Sequence, residues 1–377
     1  MDALPPAPLA PAFARLEGFV LEGLFPGAVL HVTRAGTVVG AHACGLARRS
    51  PDVPVDLETV FPLYSVTKPL VATGLLTAVD EGKLALDDPV ARFVAGFERR
   101  GKGGITVRHL MTHTAGIPVS PGPDLHDFAT SAAYAATLVD LEPYVAAGTR
   151  ALYHGQTAYA LLGEIFERAT RTPLAVGVRE RVLEPLGLRD TFFPVPPTAG
   201  ARIAHAQVHP RDDEGARWAA AVNGATFRAA AHPAGGAFGT AADLARFLGC
   251  WLAGGAWDGR RVLQADTVRE ALRVQFPALR EGVPPWPGMP PALLALDLGA
   301  TTWGLGWRLR GDPPEPLFGF GAASPRAFGH AGLSSVLVFA DPELALTFVL
   351  LTNATLAGGD ALRVRTALSR AVVEASR

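Results

Sequence analysis

The 377-residue sequence has only two cysteines, Cys44 and Cys250, far apart and without a second Cys or His at metal-ligand spacing. That excludes a disulfide framework and a cysteine-based zinc site, and leaves two free buried thiols. It has no excess of one charge: Lys+Arg 34 against Asp+Glu 35 gives a formal net charge of -1 without long like-charged runs. This balance speaks against nucleic acid or an anionic membrane surface as a partner. It also lacks a long uninterrupted apolar run. The most apolar stretch, 336–351, is broken by Asp341, Pro342 and Glu343 and is too short to span a bilayer, so a soluble protein is expected. The first 14 residues carry four prolines and no basic segment ahead of an apolar one. Hence no signal peptide is read, and the chain as it stands is placed in the cytoplasm, or in the periplasm or medium if a leader has been removed. Lysine is scarce as well, three residues against 31 arginines, so a motif that requires lysine seldom arises by accident.

What is present is apolar sequence in quantity, 49% of the chain, with 41 glycines and 32 prolines as punctuation. A chain of this size buries roughly 75% of its unfolded surface, enough for a large core or two lobes around a cleft. Helical spacing covers 8–24, followed by strands at 27–33 and 37–45 joined through Arg34-Ala35-Gly36. A further helix is predicted over 65–81, with Gly82 as its stop. The middle third reads as helical at 105–113, 130–145, 153–170 and 174–186, whereas 201–231 has no clear period. Strands return at 302–310, 327–330, 333–339 and 345–352, and a helix closes the chain at 360–375. Strands at both ends around a helical middle predict an α+β fold: one antiparallel sheet flanked by helices, with a helical lobe inserted. The expected division is an α/β lobe from 1–85 and 232–377 and a helical lobe from 86–231.

Ser65-Val66-Thr67-Lys68 places a hydroxyl and an amine three residues apart at a helix start, on one face. A serine needs a base to take its proton, and a lysine serves only when desolvation lowers its pKa far below about 10.4. Amide N–H groups at the same helix start would favour the oxyanion formed on an attacked carbonyl. The bland alternative is a helix-capping Ser65 and a solvated Lys68. Nine serines and three lysines in 377 residues set the chance expectation of such a pair near 0.07. The apolar Phe61-Pro62-Leu63-Tyr64 before it, and a helix without charge from Lys68 to Asp80, favour a buried, working amine.

Several segments together resemble the serine β-lactamase and penicillin-binding protein superfamily, including its esterase and D-peptidase branches. Ser65-Val-Thr-Lys68 is similar to that family's S-x-x-K. The segment Ile105 to Pro118 is similar to its ITVRHLLTHTSGLP stretch, Tyr153-His154-Gly155 lies where it has Tyr-x-Asn, and Gly329-His330-Ala331-Gly332 resembles its third motif. Ala234 to Phe247, Gly304-Leu-Gly-Trp307 and Leu350-Leu-Thr-Asn353 extend the likeness.

The resemblance implies a β-lactamase/transpeptidase-like fold and a metal-independent serine hydrolase without a cofactor. It implies Ser65 as the acylated nucleophile, Lys68 as its proton acceptor, and Tyr153 passing the proton on, its phenolate stabilised by a Lys68 ammonium. Backbone N–H groups of Ser65 and Leu333 would form the oxyanion hole. His330, Gly332, Tyr64 and His154 would contact substrate, a small ester, β-lactam or D-amino-acid derivative. Gly155 departs from the usual Asn, removing an amide that would hold a β-lactam or peptide. This points to an esterase similar to family VIII carboxylesterases. The alternatives are a penicillin-binding module that acylates slowly without turnover, or a D-amino-acid amidase or peptidase. No G-x-S-x-G occurs, which argues against an α/β-hydrolase. His109/His113 and His205/His209 have four-residue spacing, but Leu110 stands where a metalloprotease helix has Glu, so neither pair is read as a metal site. The 234–239 glycines permit a tight turn near the cleft. Loops 119–128 and 280–291 are expected to shape substrate preference.

Overall fold

A computed structural model describes residues 7–118, 130–208, 219–277, 279–283, 296–300, 302–314, 318–333, 335–356 and 358–377. Loop 119–128, residues 284–291 of the second loop, and His209 with Asp212, Asp213 and Glu214 lie outside the described residues.

The two ends of the chain build one sheet, as the strand pattern predicts. Its strands are β1 (Gly27–Arg34), β2 (Thr37–Arg48), β3 (Val53–Pro54), β4 (Arg308–Leu309), β5 (Phe328–Ala331), β6 (Leu337–Asp341) and β7 (Leu346–Thr352). They lie in the order β4-β5-β6-β7-β1-β2-β3 with every neighbour antiparallel. The join between the chain ends is the β1–β7 pair, registered Leu30 opposite Leu350. Alternation sorts the side chains. Leu30, Val32, Phe339 and Phe348 face α1 (Ala10–Leu21) and the closing helix Gly358–Ala375, while Val29, Val338, Val349 and Leu351 enter the larger core on the other face. Helices cover both faces, which is why 336–351 reads as nearly continuous apolar sequence. Its break is the β6–β7 turn, where buried Asp341 accepts hydrogen bonds from Ser324 N (2.7 Å) and Oγ (2.6 Å).

Helix α2 (Thr67–Asp80) runs through the larger core with every residue from Thr67 to Ala78 buried, and Gly82 at φ 68° closes it as the sequence predicts. Beside it lie α3 (Gly155–Thr170) and the helical run from Leu174 to Leu186. No helix among the described residues is long and apolar enough to cross a membrane.

Two expectations on element length change. The helix expected at 130–145 spans only Ser131–Thr137. Pro143 disfavours helical backbone ahead of it, and the carbonyls of Val139 and Leu141, freed from helix pairing, accept from the buried Lys102 amine. The strand expected at 302–310 shrinks to β4. Gly306, at φ 77°, turns the chain against α2, where a Cβ would stand 2.4 Å from that of Ala72.

Candidate active site

Phe61–Pro62 pairs with Phe238–Gly239, and Leu63 N–H donates to Ala237 O at 2.9 Å. Tyr64 then takes φ 47°, left-handed backbone that is uncommon for an aromatic residue and typical of strained functional turns. The chain thereby swings into a 3₁₀ turn, Tyr64–Val66, that leads into α2. Ser65 does not cap the helix, whose N-cap residue, Val66, makes no side-chain cap bond. Instead Lys68 Nζ stands 2.9 Å from Ser65 Oγ and donates a second bond, 2.6 Å, to Ala234 O. Thr67 Oγ1 accepts from Ala237 N at 3.0 Å, tying the 234–237 segment to the same turn. That segment is tight: Gly235 and Gly236 N–H both donate to His232 O, and a Cβ on Gly236 would lie 2.4 Å from His232 N.

Burial makes the lysine a usable base. Lys68 is 2% exposed, and desolvation brings its pKa from 10.5 down to about 7, so its neutral form is populated at neutral pH. The Tyr153 phenol, carried at the end of the short strand Ala151–Leu152 just before α3, borders the same cavity as Ser65. Lys68 Nζ lies 5.4 Å from its ring centroid. Burial pushes the phenol well above its usual value, and the Ser65 hydroxyl only partly opposes this. The phenol is therefore held in its neutral form, and the phenolate that the resemblance implies would need the Lys68 ammonium beside it. In the free protein the arrangement offers a hydroxyl, one amine that can accept its proton, and one phenol that can donate.

These three groups open on a cavity of about 180 Å³ lined by Tyr64, Ser65, Lys68, Tyr153, Gly155, Gln156, Ala234, Gly235 and Leu333. Ser65 and Leu333, whose N–H groups are the expected oxyanion donors, thus both border it, as does Tyr64. The other expected substrate contacts do not. His330 is fully buried behind Tyr153, its ring 6.3 Å from the phenol ring and 5.5 Å from Phe318, with a pKa lowered to about 3 mainly by burial. His154 is also fully buried and faces His113, ring centroids 5.3 Å apart. Gly332 is a close-approach glycine: a Cβ there would meet Leu63 O at 2.9 Å and Tyr64 Cβ at 3.2 Å, so it seats the end of β5 on the Ser65 turn.

Gly155 has a comparable reason. A Cβ at this position would lie 2.8 Å from Lys68 Cε and 3.0 Å from Nζ. The lysine occupies the space where the usual Asn would begin. Gln156, the next residue, does border the cavity; only its place in the first turn of α3 pointed to it. The Ala234 carbonyl could not be foreseen, since any residue type supplies one. The His109/His113 pair separates: His109 Nδ1 accepts from Thr106 N at 3.1 Å as part of a capping box, while His113 turns inward. A wider groove of about 940 Å³, bordered by Arg179, Arg189 and Arg246, shares no residue with the Ser65 cavity.

Comparison with known proteins gives the family of the chain. The β-lactamase family profile matches residues 13–372. Esterase EstB of Burkholderia gladioli is 33% identical over 381 aligned positions, covering 88% of this chain and 87% of that protein. Protein Rv1367c of Mycobacterium tuberculosis is 30% identical, with 87% and 86% covered. A penicillin-binding protein homologue from Caulobacter crescentus superposes with a TM-score of 0.81 at 27% identity, over 99% of both chains. A family VIII carboxylesterase structure shares the fold, with a TM-score of 0.80 at 24% identity over 99% of both. The chain belongs to the β-lactamase family and is a hydrolase of that serine-enzyme family.

Proposed function

We propose that the protein is an esterase that cleaves small, neutral esters through an acyl-enzyme on Ser65. Lys68, neutral in part at neutral pH, takes the Ser65 proton as Oγ attacks the ester carbonyl. The oxyanion of the tetrahedral intermediate faces the N–H groups of Ser65 and Leu333. Tyr153 gives its proton to the departing alkoxide and regains one from the Lys68 ammonium. Water then attacks the acyl carbonyl, losing its proton to the Lys68–Tyr153 pair, and Ser65 leaves with a proton.

The choice of ester rests on one observation: among the described residues that border the cavity, Lys68 is the single cationic side chain, and it is the base. A substrate carboxylate, as in a β-lactam or a D-alanyl peptide, finds no second cation there. At Gly155 no side-chain amide is available to hold a substrate amide. The similarity to a protein named as an esterase supports the same choice. Steady-state kinetics on p-nitrophenyl acetate and on nitrocefin test it. A kcat/KM higher for the ester is expected; a value higher for nitrocefin contradicts the assignment.

A further inference from the structure

His113 is fully buried and has no place in the steps above. Its backbone is unusual: the helix Val107–Met111 ends, and His113 takes φ 58°, left-handed space that most side chains avoid. The surroundings fix this turn from both sides. His113 O accepts from Leu152 N at 2.8 Å, Thr114 O accepts from Gly148 N at 2.8 Å, and Thr112 Oγ1 meets Thr114 Oγ1 at 2.9 Å. Leu152 directly precedes Tyr153, so the strained turn is bonded to the segment that carries the phenol.

The ring continues the contact. Its centroid lies 4.5 Å from that of Tyr153 and 4.6 Å from that of Trp303. Trp303 in turn stacks on Tyr153 at 5.8 Å and 13°, and is itself backed by the Arg308 guanidinium at 4.7 Å. Tyr153 has two side-chain torsions to fix, and a contact through the phenol oxygen alone would leave the ring free to turn. His113 and Trp303 hold the ring. Burial keeps His113 uncharged, its pKa well below the usual value, so it adds no cation beside Lys68.

We propose that His113 is a positioning residue, wedged by its own left-handed turn against the Tyr153 ring so that the phenol meets Ser65, and acting on catalysis through Tyr153. This rests on the proton-relay reading of Tyr153 given above. The test is a double-mutant cycle on a short-chain nitrophenyl ester with His113→Ala, Tyr153→Phe and the pair, together with His113→Phe. Misplacing a reacting group by about 1 Å costs on the order of 100-fold, so His113→Ala is expected to lower kcat about 10- to 100-fold with KM within about twofold. His113→Phe, which keeps a flat ring, recovers most of that loss. Added to Tyr153→Phe, His113→Ala costs less than about twofold, because the group it positions is gone. An equal loss in both backgrounds, or no loss in wild type, overturns the proposal. A Tyr153→Phe enzyme with undiminished kcat overturns the relay reading itself, and His113 falls with it. Should His113→Ala not fold, His113→Leu, which fills space without a planar ring, replaces it in the cycle with the same expected and contrary results.

Discussion

Replacing Gly155 by Asn restores the residue usual in the family and should damage this enzyme rather than convert it to a β-lactamase. A Cβ at 155 stands 2.8 Å from Lys68 Cε and 3.0 Å from Nζ, against ordinary contacts of 3.4 Å or more, so the lysine tip must withdraw by about half an ångström. Nζ now sits 2.9 Å from Ser65 Oγ and 2.6 Å from Ala234 O; the same shift, directed away from Ser65, stretches that contact to about 3.4 Å, the weak limit of a hydrogen bond. Losing a hydrogen bond to an ionisable group costs about 1.5–3 kcal/mol, or roughly 10- to 150-fold in rate. The fold is affected far less. The displaced atoms are the end of a flexible side chain, and leaving glycine in the first turn of α3 recovers up to about 1 kcal/mol of helix propensity. The expected result is a kcat/KM on p-nitrophenyl acetate lowered about 10- to 100-fold in both Gly155→Ala and Gly155→Asn, no rise on nitrocefin, and a thermal midpoint within a few degrees of wild type. Full esterase activity in Gly155→Asn together with a gain on nitrocefin refutes the steric reasoning.

Further outcomes follow from other buried groups. The kcat/KM should rise with pH up to about 7, where Lys68 loses its proton, and then level, because the proposed base is the neutral amine. A lysine held at about 7 in the fold but at 10.5 when unfolded binds fewer protons in the native state between those values. Its burial therefore costs most stability below pH 7, and the cost fades as pH rises toward 10.5. Lys68→Met should abolish turnover and should be stabilised relative to wild type more at pH 6 than at pH 9; a gap in midpoint that widens with pH contradicts this sign. Lys102→Met strips the donor from the carbonyls of Arg99, Val139 and Leu141, which should lower stability by about 2–4 kcal/mol in denaturant titration while kcat/KM stays within twofold. Asn353→Ala removes bonds to Gly27 N (2.9 Å), Leu46 O (2.9 Å) and Ala47 O (3.2 Å), the clamp across β1 and β2, and should cost about 2–3 kcal/mol by the same measurement.

The legible parts of this protein were those whose cause is local. The β1–β2 hairpin follows from two strand segments joined by the turn Arg34-Ala35-Gly36, and the Ser65–Lys68 approach from i, i+3 spacing at a helix start. Tyr153 is legible only through the order of motifs, since nothing near it in sequence says that it borders the same cavity as a serine 88 positions earlier. His330 and Gly332, which the resemblance puts against substrate, are not among the described residues that border the cavity. The resemblance marks a strand beside the cleft but not which side chains cross into it. His330 faces the interior, and Gly332 is used for its lack of a side chain. The loss of Asn at 155 was visible in sequence, yet its cause, the Lys68 side chain filling that space, exists only once α2 and α3 are packed together. Trp303 behind Tyr153 is likewise brought in from 150 positions away by the turn at Gly304 and Gly306.

Covalent catalysis at position 65 is tested most directly by the intact-protein mass measured after rapid quenching with a nitrophenyl ester. Wild-type protein should gain the mass of the acyl group, located on the Ser65 peptide after digestion. Ser65→Ala should gain none and should not turn over the ester. An acyl group found on another residue, or sustained turnover by Ser65→Ala, contradicts the mechanism.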